Sequence, residues 1–176
     1  MVSELDDPIF RRVEPHALRA DVPSEEGLAG VPADVEFLDC EDVALANVTP
    51  LLGFSRLRVL NVSSTGIASL AGLERLTALE ILYADFGRFA TLEPLARLGG
   101  LRALDVSCNG AERLALEPLS ACTRLERLYL AHCPIASIAP IMHLPALRLL
   151  SIAGTLVPDE EIDQFRAQHP ACEIWP

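Results

Sequence analysis

The feature that most constrains this chain is a unit of 22 residues that recurs along it. Copies begin at Val35, Leu57, Leu79, Leu101, Leu125 and Leu147, with successive starts 22, 22, 22, 24 and 22 residues apart. The clearest copy opens Leu57-Arg58-Val59-Leu60-Asn61-Val62-Ser63-Ser64-Thr65-Gly66-Ile67 and continues through Leu70, Leu73 and Leu76. Positions 1, 4, 6, 11, 14, 17 and 20 are apolar in five successive copies once two residues are inserted in the fourth; Cys40, Ala84, Ala111 and Cys122 are the weakest members. Two periods coexist in each unit. Positions 4 and 6 alternate, which marks a short strand with those side chains pointing inward. Beyond position 9 the apolar residues recur every three, which suits a tight 3₁₀ or helical return. Each unit leaves an apolar flank that only the next can cover, so the units must stack. The predicted fold is an α/β right-handed solenoid with a parallel sheet on its concave face and short helical or 3₁₀ returns on its convex face.

These residues resemble the leucine-rich repeat family, in the 22-residue class typified by phosphatase-1 regulators and internalins. The resemblance covers residues 35–157 and implies protein recognition, for many unrelated partners, more often than any chemistry. The family usually carries Asn at position 9, where its amide satisfies turn backbone. Here the residues are Val43, Thr65, Gly87, Asn109, Cys133 and Thr155. Thr and Cys can make part of that bond and Val and Gly cannot. Irregular or hydrated turns are therefore expected at Val43 and Gly87.

Residues 1–34 precede the repeat and form an acidic N-terminal segment with eight acids against three arginines. Its stretch Pro8-Ile9-Phe10-Arg11-Arg12-Val13 has enough apolar content to fold over the first repeat as a cap; the alternative is a disordered acidic arm over residues 1–20, with ordered packing after Val22. Residues 158–176 read as a C-terminal cap. Pro158 starts a helix, Asp159, Glu160 and Glu161 suit its first turn, Ile162 and Phe165 face the last repeat, and His169-Pro170 ends it before a short strand over Cys172–Ile174.

The formal charge is −11, and all fourteen basic residues are Arg. Such acidity argues against nucleic acid and anionic membranes and favours a basic protein partner or simply serves solubility. With no Lys there is no Walker-type lysine or Schiff-base chemistry. The five cysteines include no C-x-x-C pair; Cys40, Cys122 and Cys133 fall on core or turn positions. With no apolar leader and no run of eighteen apolar residues, a reduced, cytoplasmic setting is expected.

The repeat register also places the residues beside the predicted strands. Position 2 reads Glu36, Arg58, Glu80, Arg102, Glu126, Arg148, an alternation expected to hold neighbouring strands in register. Position 3 reads Phe37, Val59, Ile81, Ala103, Arg127, Leu149, a mostly apolar stripe at a place expected to face solvent. With Asp39, Tyr83, Asp85, Phe86, Asp105, Tyr129 and His132 at positions 5, 7 and 8, it gives aromatic anchors amid carboxylates, the usual composition of a protein-binding surface. The candidate contact residues are Phe37, Asp39, Val59, Ile81, Tyr83, Asp85, Phe86, Asp105, Arg127, Tyr129 and His132. Tyr83→Ala is expected to cost little stability.

Cys108 and His132 share position 8 of adjacent repeats, the minimum for a thiol nucleophile with its base, and Asp105 is near. An open sheet offers that pair no pocket and no oxyanion hole. No cofactor, metal or small-molecule substrate is expected. The leading reading is a non-enzymatic module that binds a protein partner through its concave face. A narrower alternative is a small acidic inhibitor, such as a bacterial immunity protein that neutralises a basic toxin; the remote one is a thiol enzyme using Cys108 and His132.

Overall fold

The computed structural model describes residues 19–176. Eight parallel strands form one sheet in strict chain order: β1 Arg19–Asp21, β2 Phe37–Asp39, β3 Val59–Asn61, β4 Ile81–Tyr83, β5 Ala103–Asp105, β6 Arg127–Tyr129, β7 Leu149–Ser151 and β8 Glu173–Trp175. Each strand is three residues long, and β2 to β7 hold positions 3, 4 and 5 of their repeats. The register pairs equivalent positions throughout, as in Leu38 with Leu60, Leu82 with Leu104, and Leu128 with Leu150. The leucine-rich repeat solenoid read from the sequence is the fold observed. The sheet also runs one strand ahead of the first repeat, because Arg19–Asp21 pairs with Phe37–Asp39.

The core explains why the returns are short. Positions 4 and 6 point into the stack, and Leu38, Leu60, Leu82, Leu104, Leu128 and Leu150 are fully buried. Most returns are single 3₁₀ turns: Thr49–Leu51, Leu73–Arg75, Glu93–Arg97, Glu117–Ala121 and Ala139–Ile141. In four of them a proline occupies the first or second helical position, where its missing N–H costs no hydrogen bond. The next inward leucine, as in Leu95 N–H to Leu92 O at 2.9 Å, closes the turn before a wider helix can form.

The two extra residues of the fourth copy leave the sheet untouched, since Ala103 still pairs with Arg127. They are taken up after the strand, where Leu114 fills the core. Ala111, assigned to the core from the repeat alone, is only half-buried. Beside this insertion a bridge joins Thr91 to Ala115.

At the C-terminus the single α-helix among the described residues, α1, runs Asp159–Gln168. Its buried face is Ile162 and Phe165. The His169 N–H bonds Phe165 O, the His169 ring stacks on Phe165 at 4.3 Å between centroids, and its Nε2 lies 2.9 Å from Met142 O. β8 then adds to β7. At the other end a 3₁₀ turn over Glu25–Gly30, capped by the Ser24 hydroxyl accepting from Gly27 N–H, tucks Val22 and Leu28 against the first repeat. The expectations for Pro8–Val13, and for an ordered or disordered arm up to residue 18, fall outside the described residues. Among the described residues no helix is long and apolar enough to cross a membrane.

Candidate functional site

The sheet's exposed side is organised in rows, each set by one repeat position. Position 2 forms the expected ladder of alternating charge from Glu36 to Glu126. Arg58 Nε donates to Glu80 Oε1 at 2.7 Å and its Nη1 reaches Glu36 Oε2 at 3.4 Å; Arg102 Nε donates to Glu126 Oε1 at 2.9 Å and Nη1 lies 3.9 Å from Glu80. These side chains are only partly exposed. Hydrogen bonds from Arg58 to Glu80 and Glu36 push its pKa above the ordinary arginine value, Glu80 contributing most. Their ions are spent on one another, so this row is framework.

Position 3 departs from expectation. Phe37, Val59, Ile81, Ala103 and Leu149 were expected to face solvent; all are buried, Val59 and Ile81 completely. Arg127 is half-buried. Tyr83 from position 5 is buried with the stripe, and Phe37, Val59, Ile81, Tyr83 and Ala103 form a small apolar cluster separate from the main core. The expectation that Tyr83→Ala costs little stability is corrected accordingly. A strand's two faces carry similar residue types here, so periodicity alone could not distinguish this second cluster from an exposed stripe.

Position 5 has a local role that also escaped the sequence reading. Asp39 Oδ1 accepts from Glu41 N–H at 3.0 Å, Asn61 Oδ1 from Ser63 N–H at 3.0 Å, and Asp105 Oδ1 from Ser107 N–H at 2.8 Å. Each short side chain bonds its own backbone two residues on, ending the strand and starting the turn. One oxygen of Asp39 and of Asp105 is thus committed to structure.

At position 8 the backbone turns into the left-handed region in every repeat: Asp42, Ser64, Phe86, Cys108 and His132 have φ between 55° and 58°, and Gly154 has φ 68°. This conformation is unfavourable for side chains other than Gly, Asn and Asp. Asp42 and Gly154 suit it. Phe86 does not, and the residue is 60% exposed beside half-buried Asp85. The φ angles at Asp42 and Phe86 match those of the other repeats, so the backbone entering the turns at Val43 and Gly87 is regular at position 8. Val43 is simply buried, and at Gly87 the Phe89 ring fills the space a side chain would need: a Cβ on Gly87 would lie 2.1 Å from Phe89 Cε2. Elsewhere position 9 bonds much as its residue types suggested. Asn109 Nδ2 donates to Phe89 O at 2.8 Å, the Thr65 and Thr155 hydroxyls donate to Val62 O and Ile152 O, and Cys133 Sγ donates to Val106 O.

Carboxylates gather about Asp85, the chain neighbour of Phe86. Glu41 has a raised pKa, first from burial and then from Asp39, Asp42 and Asp85. Burial pushes Asp105 up to about 6, against the lowering bonds from Ser107 and with help from Asp85. A shallow hollow lined by Asp21, Pro23, Asp39, Glu41 and Asp42 extends the acidic edge toward β1. The repeat pattern does not point to Asp21, because that residue precedes the first copy at Val35. Its signal was Asp21-Val22, which repeats the acid-then-apolar order of Asp39-Cys40. At the far end Tyr129 is half-buried and meets Trp175 edge-on at 6.2 Å, and His132 is exposed.

The surroundings of Cys108 and His132 do not favour a thiolate. A Cβ on Gly154 would lie 2.3 Å from His132 Nδ1, so the imidazole leans over the following repeat. The Cys108 thiol is pushed up by burial and by Asp85 and Asp105, the opposite of an activated thiolate. Cys40, Cys122, Cys133 and Cys172 are likewise raised, chiefly by burial. Among the described residues no group of three or more His, Cys, Asp or Glu could hold a metal ion.

Stacked three-residue parallel strands, an inward leucine ladder and 3₁₀ returns define a leucine-rich repeat solenoid. Solved structures share this architecture. Internalin C2 of Listeria monocytogenes superposes with a TM-score of 0.70 at 24% identity, over 81% of this chain and 60% of that one. A second Listeria internalin, internalin F, gives 0.72 at 17% identity over 81% and 41%, and a leucine-rich repeat protein of Leptospira interrogans gives 0.66 at 18% over 80% and 42%. No family profile matches the chain. Among curated proteins, the 187-kDa microtubule-associated protein AIR9 of Arabidopsis thaliana is 38% identical over 82 residues, 47% of this chain. The chain spans 5% of that protein's length.

Proposed function

We propose that this chain is a non-enzymatic interaction module that binds a protein partner on the concave side, at the edge where the strands end. Phe86 carries the reading. A bulky aromatic held at φ 55° with 60% of its surface in water is unfavourable twice over, by backbone conformation and by exposure. Every repeat shares that φ, so what singles out Phe86 is its exposed aromatic side chain, the residue type that anchors protein interfaces. On the same edge Asp85, Glu41, Asp42 and Asp105 supply negative charge, and Glu41 and Asp105 have raised pKa values. A cationic side chain placed among them would relieve that repulsion. A partner presenting an apolar pocket flanked by Arg or Lys is the best fit.

The charge of −11 supports a narrower form of the same reading, a small acidic inhibitor of a basic protein, such as a bacterial immunity protein. Catalysis is the weaker reading because Cys108 is protonated more readily than a free thiol and His132 leans away from it.

The test is capture from native lysate on immobilised wild type beside Phe86→Ala, read by mass spectrometry at two salt concentrations. A partner retained by wild type, lost from Phe86→Ala and weakened by salt supports the reading. Equal retention on both proteins overturns the assignment of this edge. Salt-insensitive retention by several unrelated proteins counts against the inhibitor form.

A further inference from the structure

One buried polar group stands on the edge where the strands end. Ser63 is 2% exposed, and its Oγ has no hydrogen-bond partner among the described residues. A buried hydroxyl is costly unless something satisfies it. Ser63 occupies position 7, between Glu41 and Asp85 of the neighbouring repeats. Asp42 N–H donates to Ser63 O at 3.1 Å and Ser64 N–H to Asp85 O at 3.0 Å, so the three residues stand side by side. Serine has the shortest side chain of the three, which makes its hydroxyl the floor between two carboxylates. Glu41 is exposed and Asp85 half-buried. Their charges meet across that floor, since Asp85 is among the causes that raise the Glu41 pKa, after burial, Asp39 and Asp42. Among the described residues neither Glu41 nor Asp85 makes an ion pair; Arg58 and Arg102 are bonded to Glu36, Glu80 and Glu126 instead. The Glu41 carboxylate accepts from Asn61 Nδ2 at 3.5 Å, the outer limit of such a bond, so it swings toward an incoming group at little cost.

We propose that Glu41, Ser63 and Asp85 form a socket for one arginine side chain of the protein partner. This rests on the reading of the edge given above and narrows it, from any cation to a guanidinium and from the whole acidic edge to one place on it. The row offers two anions, roughly 10 Å apart at their backbones, with a neutral oxygen between them. A guanidinium holds five N–H donors in one plane and points them in several directions at once. It gives to both carboxylates while it meets the hydroxyl oxygen on the floor. The bonds to the carboxylates are charge-assisted, the stronger kind. A lysine ammonium is a compact, strongly hydrated point charge, which serves one carboxylate well and gains little from the other two groups. The socket thus accounts for two features together: carboxylates that face one another without a cation, and a buried hydroxyl between them that the fold itself does not use.

The experiment titrates N-acetyl-arginine amide into the isotope-labelled full chain and follows the backbone amide signals by nuclear magnetic resonance, with the lysine and citrulline amides beside it. Saturable shifts centred on Ser63, Ser64 and Asp85 are expected for the arginine amide, several-fold weaker binding for the lysine amide, and none for the neutral citrulline amide. Asp85→Asn and Ser63→Ala should each weaken the arginine amide several-fold. Ser63→Ala should melt at or above the wild-type temperature, because it removes a hydroxyl that the fold leaves unpartnered. Equal affinity for the arginine and lysine amides, or shifts scattered over the acidic surface, would overturn the socket. So would unchanged arginine binding by Ser63→Ala, or a marked loss of stability in that variant. The probe needs neither a partner nor Phe86, so the two readings fail separately. Phe86-dependent capture with no arginine binding drops the socket alone; localised arginine binding with Phe86-independent capture keeps the socket and drops Phe86 as the anchor.

Discussion

Replacing Gly87 by alanine tests how the third repeat manages without the usual side chain at position 9. The added Cβ would lie 2.1, 2.4 and 2.8 Å from three carbons of the Phe89 ring. Carbon atoms pack at roughly 3.5–4 Å, so the ring must retreat by more than about 1 Å. Phe89 is 1% exposed, so the ring can retreat only into the core. Overpacking of this kind costs about 1–3 kcal/mol, and alanine returns about 0.4–1 kcal/mol by restricting the unfolded chain. A net loss of roughly 1–2 kcal/mol is expected, or about 2–8 °C in Tm for a chain of this size. Urea unfolding should be followed by Trp175 fluorescence and by far-ultraviolet circular dichroism together, because stacked repeats do not always unfold as one unit. The decisive comparison is a cycle with Phe89→Ile, which installs the isoleucine found at the equivalent Ile67 and Ile135. In that background Gly87→Ala should be neutral or stabilising, giving a coupling of at least about 1 kcal/mol. An equal cost in both backgrounds would refute the idea that the ring is what keeps position 87 bare.

Phe86→Gly removes a side chain from a left-handed backbone, so stability should be unchanged or higher by up to about 1 kcal/mol, while partner capture is lost; a loss above that size would show the ring to be structural. For Asp105, a folded pKa of about 6 against an unfolded value near 3.9 means the native state holds the proton more tightly. Stability should therefore rise as pH falls from about 6 to 4, and Asp105→Asn, which keeps an acceptor for Ser107 N–H, should flatten that profile and stabilise at pH 7 by up to ~2–3 kcal/mol. Denaturation midpoints across pH 4–8 would read it, and a steeper profile in the variant would sink the argument. Leu104→Ala should cost ~2–5 kcal/mol in chemical denaturation, and Tyr83→Ala should approach it, since that ring is only 6% exposed. A neutral Tyr83→Ala would mean that the concave cluster contributes nothing.

The fold was legible because each repeat states it twice, once in the alternation of positions 4 and 6 and once in the three-residue rhythm beyond. The ladder of Glu36, Arg58, Glu80, Arg102 and Glu126 was legible for the same reason, since register alone fixes which residues are neighbours. Three features of the site were not. Residues of one type serve both faces of a strand, so Val59 and Ile81 look the same whether covered or wet. The left-handed turn is occupied by Asp42, Ser64, Phe86, Cys108, His132 and Gly154, and no shared residue type announces it. Gly87 and Phe89 read separately as a missing amide and an oversized core residue, whereas in three dimensions each accounts for the other.

The charge ladder has a consequence for how such a chain can change length. Acid and base alternate from one strand to the next, so odd and even repeats are not interchangeable. Duplicating or excising a single 22-residue unit would set glutamate beside glutamate or arginine beside arginine at the splice, where like charges on adjacent strands destabilise. Moving two units together preserves the alternation. The apolar core would accept one repeat as readily as two, so parity is imposed from the surface, and this solenoid grows or shrinks without penalty only in pairs.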